Sequence, residues 1–296
     1  MDSKRVSVVI PTRNRYDYLK MAVDSVLSQT YEVAEIVVVD DGSDQEIVQK
    51  IKDKWKDNLT LKLHFLPESR GVAHTRNVGK TLATGDYLIF LDDDDMLQPD
   101  MVEKCLDEFG DYDVVGCRTR MISDDAGLSK KKVKRYRWAY TKEAEIYELD
   151  LRPEEHLLFH APSIHCFMGK SALLKSMDFD ESLSYGEDLD YWVRIAQKGS
   201  RFHKTDFEGV TYRKHRKNAS GFALYRQKSS YYSKQIGNEE LSATAKSIVR
   251  FKFGFMSIFQ GRLNGILILL SAIARPVSFF RHLSFFLRYI LAGYGR

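Results

Sequence analysis

Four consecutive aspartates, Asp92 to Asp95, are the strongest chemical signal in the sequence. They follow directly on the apolar run Tyr87–Leu91, which is typical of a buried strand. Like charges at a buried strand end are costly unless a cation compensates them, because Coulomb repulsion grows as water is excluded. Oxygen ligands at this density select Mg²⁺ or Mn²⁺ rather than zinc. The cluster therefore predicts a divalent-cation site.

The spacing of the aspartates bears on what such a cation would do. On an extended strand, Asp92 and Asp94 would lie on one side and Asp93 and Asp95 on the other. A pair on one side can offer carboxylates to a metal ion that also binds a diphosphate. The metal would then neutralise the charge that develops on a leaving nucleotide diphosphate.

Two further polar clusters follow apolar strands. Pro11-Thr12-Arg13-Asn14-Arg15 comes after the run Val6–Ile10, and Asp40-Asp41-Gly42-Ser43 comes after Ile36–Val39. Either cluster alone could be a turn or a helix cap. Together with the aspartates they form three polar clusters at three strand ends, which indicates one shared site.

The elements that would position these clusters alternate along the first 120 residues. Unbroken apolar strands alternating with amphipathic helices predict an α/β fold, with a mostly parallel sheet covered by helices on both faces. Ligands bind such sheets at the carboxyl ends of the strands. We expect a catalytic domain over 1–220, with a nucleotide-binding half at about 1–122 and an acceptor-binding half at about 123–220. A helical extension would follow over 221–296.

Composition and cysteine usage place the chain among ordinary globular proteins. Its hydrophobic share is 44% and its charged share is 29%. The three cysteines fit neither a zinc site nor a disulfide framework, which favours buried free thiols in a reducing compartment. The longest strongly apolar run, Gly265–Ala274, is about half of what a membrane-spanning helix needs. Because no apolar signal region precedes the first strand, we expect cytoplasmic synthesis.

Charge is distributed unevenly along the chain. The net charge is +4, yet the segment from Leu241 to the C-terminus contains eight Lys/Arg and no Asp or Glu. Large apolar residues alternate there with Arg275, Arg281 and Arg288, a pattern that suits helices lying in a membrane interface at the inner face of the cell membrane. The alternative is that these helices pack on the catalytic domain or on a second subunit of a homo-oligomer. The basic run Lys130–Arg137 is interpreted as a solvated loop, with contact to an anionic acceptor as its alternative.

Three carboxylates, Glu187, Asp188 and Asp190, begin an amphipathic helix farther along the chain. Acidic residues at a helix N-terminus are favoured by the helix dipole, so simple stabilisation is one interpretation. The other is a general base, which needs hydrogen-bond reach to its proton and a suitable pKa.

These motifs, in this order, resemble family 2 glycosyltransferases of the GT-A fold. The resemblance extends from about Val6 to Ser220 and rests on PTRNR, VVVDDGSD, GVAHTRNVGKTLATGDYLIFLDDDD and FDESLSYGEDLDYWVRIAQKG. It implies an inverting enzyme that uses Mn²⁺ or Mg²⁺. The donor would be a nucleotide-diphospho-sugar, expected to be a UDP-sugar. The acceptor would be a hydroxyl of a glycan or lipid-linked molecule in cell-envelope polysaccharide synthesis.

The resemblance also implies roles for single residues. Asp188 would be the general base, Asp94 a metal ligand, and His215 would face the metal or the diphosphate. Asp41 would accept the base N–H, and Asp92 would bind the ribose or a metal-bound water. The remaining residues expected to bind the nucleotide-sugar are Pro11, Thr12, Arg13, Asn14, Arg76 and Asp93. Glu187 and His165 are expected on the acceptor side.

One residue departs from the family pattern. Many members carry an aromatic residue where Arg13 stands, which would stack on the base. A guanidinium plane can also stack, so base binding remains expected while the preference for uracil is less secure.

Two other functions use similar features. A metal-dependent nucleotidyltransferase would show a glycine-rich phosphate loop after the first strand, and PTRNR contains no glycine. A non-catalytic nucleotide- or glycan-binding module would keep the pocket without needing a base. Nucleic acid is not an expected partner, because the acidic strand ends would repel phosphate.

Overall fold

The computed structural model of the chain describes residues 4–123, 153–160, 164–183, 185–215, 231–259 and 264–273. The basic run Lys130–Arg137 and the arginines at 275, 281 and 288 lie outside these ranges. The strands are β1 Val6–Thr12, β2 Glu35–Asp40, β3 Leu61–Phe65, β4 Tyr87–Phe90, β5 Met96–Leu97, β6 Val114–Ser123, β7 Phe167–Lys170 and β8 Phe202–Lys214. The helices are α1 Tyr16–Leu27, α2 Gln45–Trp55, α3 Val72–Leu82, α4 Met101–Asp107, α5 Pro153–His160, α6 Ser171–Lys175, α7 Glu187–Gln197, α8 Ala243–Phe259 and α9 Asn264–Ile273.

The eight strands form one sheet in the order β3-β2-β1-β4-β7-β6-β8-β5. Strands β3, β2, β1 and β4 are parallel neighbours, with Thr12 opposite Asp40 and Val9 opposite Phe90. The carboxyl ends of β1, β2 and β4 therefore lie at one edge, and the three polar clusters follow them there.

The second half of the sheet is mixed, so the parallel series ends at β4. Strand β7 is antiparallel to both β4 and β6, and β6 is parallel to β8. The sequence places β6 in the parallel series because its apolar run is unbroken. Val114 packs into one core cluster and Val115 into the other. A strand buried on both faces has this pattern whichever way its neighbours run.

Two apolar clusters cover the two faces of the sheet, as the sequence predicts. Val8 and Ile10 pack with residues of α1, α2 and α4 on one face. Val9 and Phe90 pack with residues of α3, α5, α7 and α8 on the other. The alternation along β1 thus distributes its side chains between the two layers.

Helix α3 lies directly against β1 because Gly79 has no side chain. A Cβ at Gly79 would stand 2.3 Å from Val9 Cγ1. Arg76 lies one turn earlier on α3, on the same face as Gly79. The close approach of helix and strand carries the Arg76 guanidinium to the carboxyl edge of the sheet.

The C-terminal region contributes to the core. Ala245, Ile248 and Val249 of α8 are buried with Leu157 and Leu158 of α5. Part of the C-terminal region thus packs on α5, an arrangement that agrees with the alternative to membrane contact. Helix α9 differs, because its Ile266 and Leu267 side chains are 48% and 70% exposed. Within the described ranges, every helix is too short or too polar to cross a membrane.

The cysteine prediction is confirmed, since Cys105, Cys117 and Cys166 are all buried and free. Burial raises the pKa of the Cys105 thiol to about 12. A thiol in this state is inert at neutral pH, so Cys105 serves packing.

One buried carboxylate, Glu35, connects three neighbouring segments at the amino-terminal edge of the sheet. It accepts hydrogen bonds from Ser7 Oγ at 2.5 Å and from the backbone N–H of Thr84, and it forms an ion pair with Lys62. Burial alone would raise the pKa of Glu35, but the bonds from Lys62, Ser7 and Thr84 outweigh it and lower the pKa to about 2. Glu35 therefore stabilises the fold in its ionised form.

We expect Glu35→Gln to destabilise the protein at pH 7 by on the order of 2 to 3 kcal/mol. A carboxylate with a lowered folded-state pKa contributes its full stability above its unfolded pKa, near 4.5. That contribution is lost as the pH falls towards about 2. Urea unfolding at pH 7, 4.5 and 3 measures the difference between the two proteins, which should shrink as the pH falls.

Glu46→Gln is the matched control, because Glu46 pairs with Lys50 on the exposed face of α2. Exposed pairs of this kind contribute little, so this variant should unfold like the unmodified protein at every pH. A loss of stability in Glu35→Gln that is no larger than in Glu46→Gln would contradict the role assigned to Glu35.

Candidate active site

The three polar clusters meet at one edge of the sheet, as their strand-end positions predict. Thr12 Oγ1 donates a hydrogen bond of 2.8 Å to Asp93 Oδ2, which joins the end of β1 to the acidic segment after β4. The Asp41 backbone N–H donates to the Thr12 carbonyl at 2.9 Å, and the Asn14 N–H donates to Ser43 Oγ at 2.7 Å. The clusters therefore form one continuous surface.

The four aspartates occupy a turn, so the expected alternation of an extended strand is wrong. The backbone N–H of Asp95 bonds to the Asp92 carbonyl at 3.1 Å, which closes the turn. The four carboxylates diverge from it and contact different partners. In particular, Asp93 and Asp94 do not face opposite sides, because both contact Arg15.

Arg76 connects the acidic turn to the helix that carries Asp188. Its guanidinium donates to Asp92 Oδ1 at 2.7 Å and to Glu187 Oε1 at 2.8 Å. The Arg76 side chain is only 4% exposed, and the two carboxylates raise its pKa despite its burial. This bridge places the N-terminus of α7 beside the turn.

Asp188 lies in the first turn of α7. Its Oδ1 accepts the N–H of Leu189 at 2.7 Å. Burial raises the pKa of Asp188 to about 7; the neighbouring Glu187 carboxylate adds to the rise, and Arg76 opposes it. A carboxylate with this pKa can take a proton near neutral pH.

The start of α7 is also shaped by its neighbours. Gly186, directly before the helix, adopts a φ of +77°, a conformation that side chains disfavour. A Cβ at this position would lie 3.3 Å from the Tyr231 ring. The Tyr231 ring therefore packs against the backbone that begins α7, two residues before Asp188.

Asp94 lies between two groups that can carry positive charge. Arg15 Nη1 and His215 Nε2 both lie 3.0 Å from Asp94 Oδ2. His215 is buried and stacks on Tyr18, with ring centroids 4.8 Å apart. The structure thus brings together the two residues expected to face the metal.

Asp95 belongs to the interior. His165 Nδ1 lies 2.7 Å from Asp95 Oδ2, and both side chains are 1% exposed. Burial would lower the pKa of His165, but the Asp95 carboxylate outweighs it and raises that pKa well above its usual range. The His165 ring therefore packs beneath the acidic turn rather than at an open acceptor surface. Atoms of Asp92, Asp95 and His165 lie within 4.8 Å of one another, so these three groups could also hold a metal ion.

Asp41 anchors the loop that precedes α3. Its carboxylate accepts hydrogen bonds from Ser69 Oγ at 2.7 Å, the Arg70 N–H at 2.8 Å and the Gly71 N–H at 3.1 Å. An ionised carboxylate offers about four acceptor positions. One position therefore remains for a donor such as a base N–H, in line with the expected role of Asp41.

The other residues expected around the nucleotide differ in exposure. Arg13 and Asn14 are exposed, whereas Pro11 is buried in β1. Asn14 adopts a φ of +53°, and its Oδ1 accepts the Asp44 N–H at 2.8 Å. Asn14 thus links the loops after β1 and β2, and Arg13 is the side chain that extends into open space from this loop.

The structure adds Arg15 to the residues identified from the sequence. Arg15 contacts both Asp93 and Asp94, although only Pro11 through Asn14 of its motif are expected to bind the nucleotide-sugar. The signal was present in the sequence. A basic side chain at one strand end complements the acidic cluster at the neighbouring strand end.

The arrangement fits a divalent cation. Carboxylate oxygens, largely buried and gathered at one turn, are ligands that Mn²⁺ and Mg²⁺ accept, and Mn²⁺ also accepts an imidazole nitrogen such as that of His215. The Asp188 carboxylate, with its raised pKa, lies on the helix that Arg76 ties to this turn. The site can therefore combine a bound cation with a nearby proton acceptor.

Comparison with known sequences identifies relatives across most of the chain. An uncharacterised glycosyltransferase of Rickettsia typhi is 32% identical over 203 residues, which is 67% of this chain and 60% of that protein. Chondroitin synthase of Escherichia coli is 27% identical over 242 residues, which is 80% of this chain and 32% of that protein. The chain spans between 26% and 68% of the length of such curated relatives.

Solved structures share the fold. TarS of S. aureus in complex with UDP superimposes with a TM-score of 0.61 at 19% identity, covering 89% of this chain and 75% of that chain. The mannosyltransferase PcManGT of Pyrobaculum calidifontis, in complex with GDP-Man and Mn²⁺, gives a TM-score of 0.60 at 18% identity, covering 97% and 85%. Because both identities are below 20%, this structural similarity establishes the GT-A fold and nothing more specific.

The family description Glycosyl transferase family 2 matches residues 7–181. That range contains the ends of β1, β2 and β4, hence the whole acidic turn and Arg76. The chain belongs to glycosyl transferase family 2.

Proposed function

We propose that the chain is an inverting glycosyltransferase that moves a sugar from a nucleotide-diphospho-sugar to an acceptor hydroxyl. The observation that carries this proposal is the Arg76 bridge, which ties the acidic turn at Asp92 to the start of α7. The bridge brings the start of α7, which carries Asp188, next to the acidic turn, and this supports the proposal. Direct displacement needs a proton acceptor and a cation on opposite sides of one reacting carbon.

Asp188 acts as the general base. It removes the proton from the acceptor hydroxyl, and the hydroxyl oxygen then forms a bond to the anomeric carbon. The bond from that carbon to the diphosphate oxygen breaks in the same step, with its electron pair leaving on the diphosphate. A single displacement inverts the configuration of the sugar.

Asp94 and His215 would hold Mn²⁺ or Mg²⁺. A bound divalent cation supplies Lewis-acid stabilisation of the departing diphosphate. The donor set supports the assignment, because carboxylate oxygen and imidazole nitrogen converge there at 3.0 Å. The Mn²⁺ in the structure of PcManGT adds support from a protein of the same fold.

The nucleotide-sugar is proposed to bind at the residues expected around it, with Asp41, Thr12 and Arg13 at the base and Arg76, Asp92 and Asp93 near the rest of the donor. UDP is the proposed nucleotide, supported by the UDP complex of TarS. GDP is the main competitor because PcManGT binds GDP-Man. With Arg13 in place of an aromatic residue, stacking relies on a guanidinium plane, which accepts either base.

The acceptor is proposed to be a growing glycan or a lipid-linked sugar of the cell envelope. Similarity to chondroitin synthase, a polysaccharide-forming enzyme by name, supports a glycan. A peripheral membrane contact is proposed through α9 and the basic segment that follows. The exposed Ile266 and Leu267 and the absence of acidic residues after Leu241 support it.

We expect nucleoside diphosphates to stabilise the protein only together with a divalent cation. Thermal unfolding in the presence of UDP, GDP, Mn²⁺ and each pair tests this expectation. A bound ligand at one hundred times its Kd stabilises by about 2.7 kcal/mol, enough to raise the Tm by several degrees. An unchanged Tm with every nucleotide and cation pair would contradict the proposed donor class.

Replacing Asp188 by Asn should lower sugar transfer by at least about a hundredfold while donor binding persists. The amide side chain of the variant cannot accept the proton from the hydroxyl. Folding stability should stay equal or increase near pH 8, because the ionised carboxylate at this buried site opposes folding. Measurement of kcat, donor affinity and Tm on the same preparation separates the effects of the substitution on catalysis, donor binding and stability.

Asp190→Asn is the matched control, because Asp190 lies in the same first turn but contacts Arg194 and Gln235. If the acidic residues served only the helix dipole, both variants would lose stability alike and keep transfer activity. Retained transfer in Asp188→Asn would remove Asp188 from the catalytic role and favour a non-catalytic binding module.

Transfer should also depend on pH through Asp188. Because burial raises the pKa of this group to about 7, the base is protonated below that pH and active above it. We expect kcat/KM to rise about tenfold per pH unit at low pH and to level off above about pH 7. A rate that stays constant from pH 5 to pH 8 would contradict this assignment.

A further inference from the structure

Arg15 contacts both central aspartates of the acidic turn. Its Nη1 donates to Asp93 Oδ1 at 3.1 Å and to Asp94 Oδ2 at 3.0 Å. The side chain thus places a permanent positive charge at the carboxylate that the proposed function assigns to the metal. Arginine is always protonated, so this charge is present at every working pH.

Arg15 and the proposed metal would use the same oxygen. Asp94 Oδ2 contacts Arg15, and it also contacts His215, the other proposed metal ligand. A divalent ion between Asp94 and His215 would lie within a few ångströms of the guanidinium. Two cations at that separation repel each other strongly when water is largely excluded.

The partners in this cluster differ in how easily they can move. The Asp93 and Asp94 side chains are 6% and 10% exposed, and that of Arg15 is 33% exposed. Arg15 directly precedes α1 and has solvent on one side, whereas the two carboxylates are fixed by the turn. Arg15 is therefore the member of the cluster that can leave it.

We propose that Arg15 is a counter-cation that compensates the acidic turn in the metal-free protein and that a divalent ion must displace. The inference rests on the proposed function, since it takes Asp94 and His215 as the metal ligands. Arg15 thereby lowers the affinity for the divalent ion and raises the ion concentration at which the site becomes occupied.

Mn²⁺ binding without nucleotide tests the proposal directly. Titration followed by the electron paramagnetic resonance signal of free Mn²⁺ gives the Kd of each variant. Arg15→Met, which keeps an unbranched apolar stem and removes the guanidinium with its charge, should bind Mn²⁺ at least about tenfold more tightly. Arg15→Lys keeps the charge and should stay within about threefold of the unmodified protein.

Arg13→Met is the matched control. It removes the same charge from an exposed side chain that lies two residues before Arg15. Its Mn²⁺ affinity should change by less than about twofold. Thermal unfolding of each variant without metal verifies that it is folded before titration. Equal Mn²⁺ affinity in Arg15→Met and Arg13→Met, or weaker binding in Arg15→Met, would overturn the counter-cation role.

His215→Ala separates this inference from the proposed function. If His215 is a ligand, its removal weakens Mn²⁺ binding, opposite in sign to Arg15→Met. Unchanged affinity in His215→Ala would remove His215 from the metal site and overturn the proposed ligand pair. Weaker binding in His215→Ala with unchanged affinity in Arg15→Met would overturn the role of Arg15 and leave the ligand pair standing.

Discussion

Compensation of negative charge at one turn is the constraint on which the site depends. Four carboxylates follow each other from Asp92 to Asp95 where water is largely excluded, so each needs a positive or hydrogen-bonding partner. The fold supplies them from distant segments: Arg76 for Asp92, Thr12 and Arg15 for Asp93, Arg15 and His215 for Asp94, and His165 for Asp95. The polar network therefore joins β1, α3 and the residue that follows β8 to the turn after β4.

Much of the architecture could be predicted from the sequence, because local pattern and topology agree over the first 120 residues. Apolar strands and amphipathic helices alternate there, and parallel neighbours bring their carboxyl ends together. The direction of β6 relative to its neighbours could not be predicted from the sequence. Val114 and Val115 are buried on opposite faces of the sheet whichever way the neighbouring strand runs. That information lies in pairing with β7, a strand some fifty residues later.

The sequence predicts which residues form the site, but it predicts the orientation of their side chains less well. The convergence of Thr12, Asp93 and Arg76 followed from strand ends and motif order. The orientation of each aspartate did not, because the chain leaves the extended conformation at Asp92 and turns. Likewise His165 is expected on the acceptor side, whereas tertiary packing buries its ring against Asp95. Side-chain direction in a turn depends on partners that are remote in sequence.

The contact between Tyr231 and Gly186 shows that residues beyond the family match support the start of α7. The family match stops at residue 181, yet the backbone that aims Asp188 is supported from beyond it. Lys234 also pairs with Asp180, and Lys252 of α8 donates to the Leu158 carbonyl. A fragment that keeps the contacts of Tyr231, Lys234 and Lys252 must accordingly extend to residue 252 or beyond.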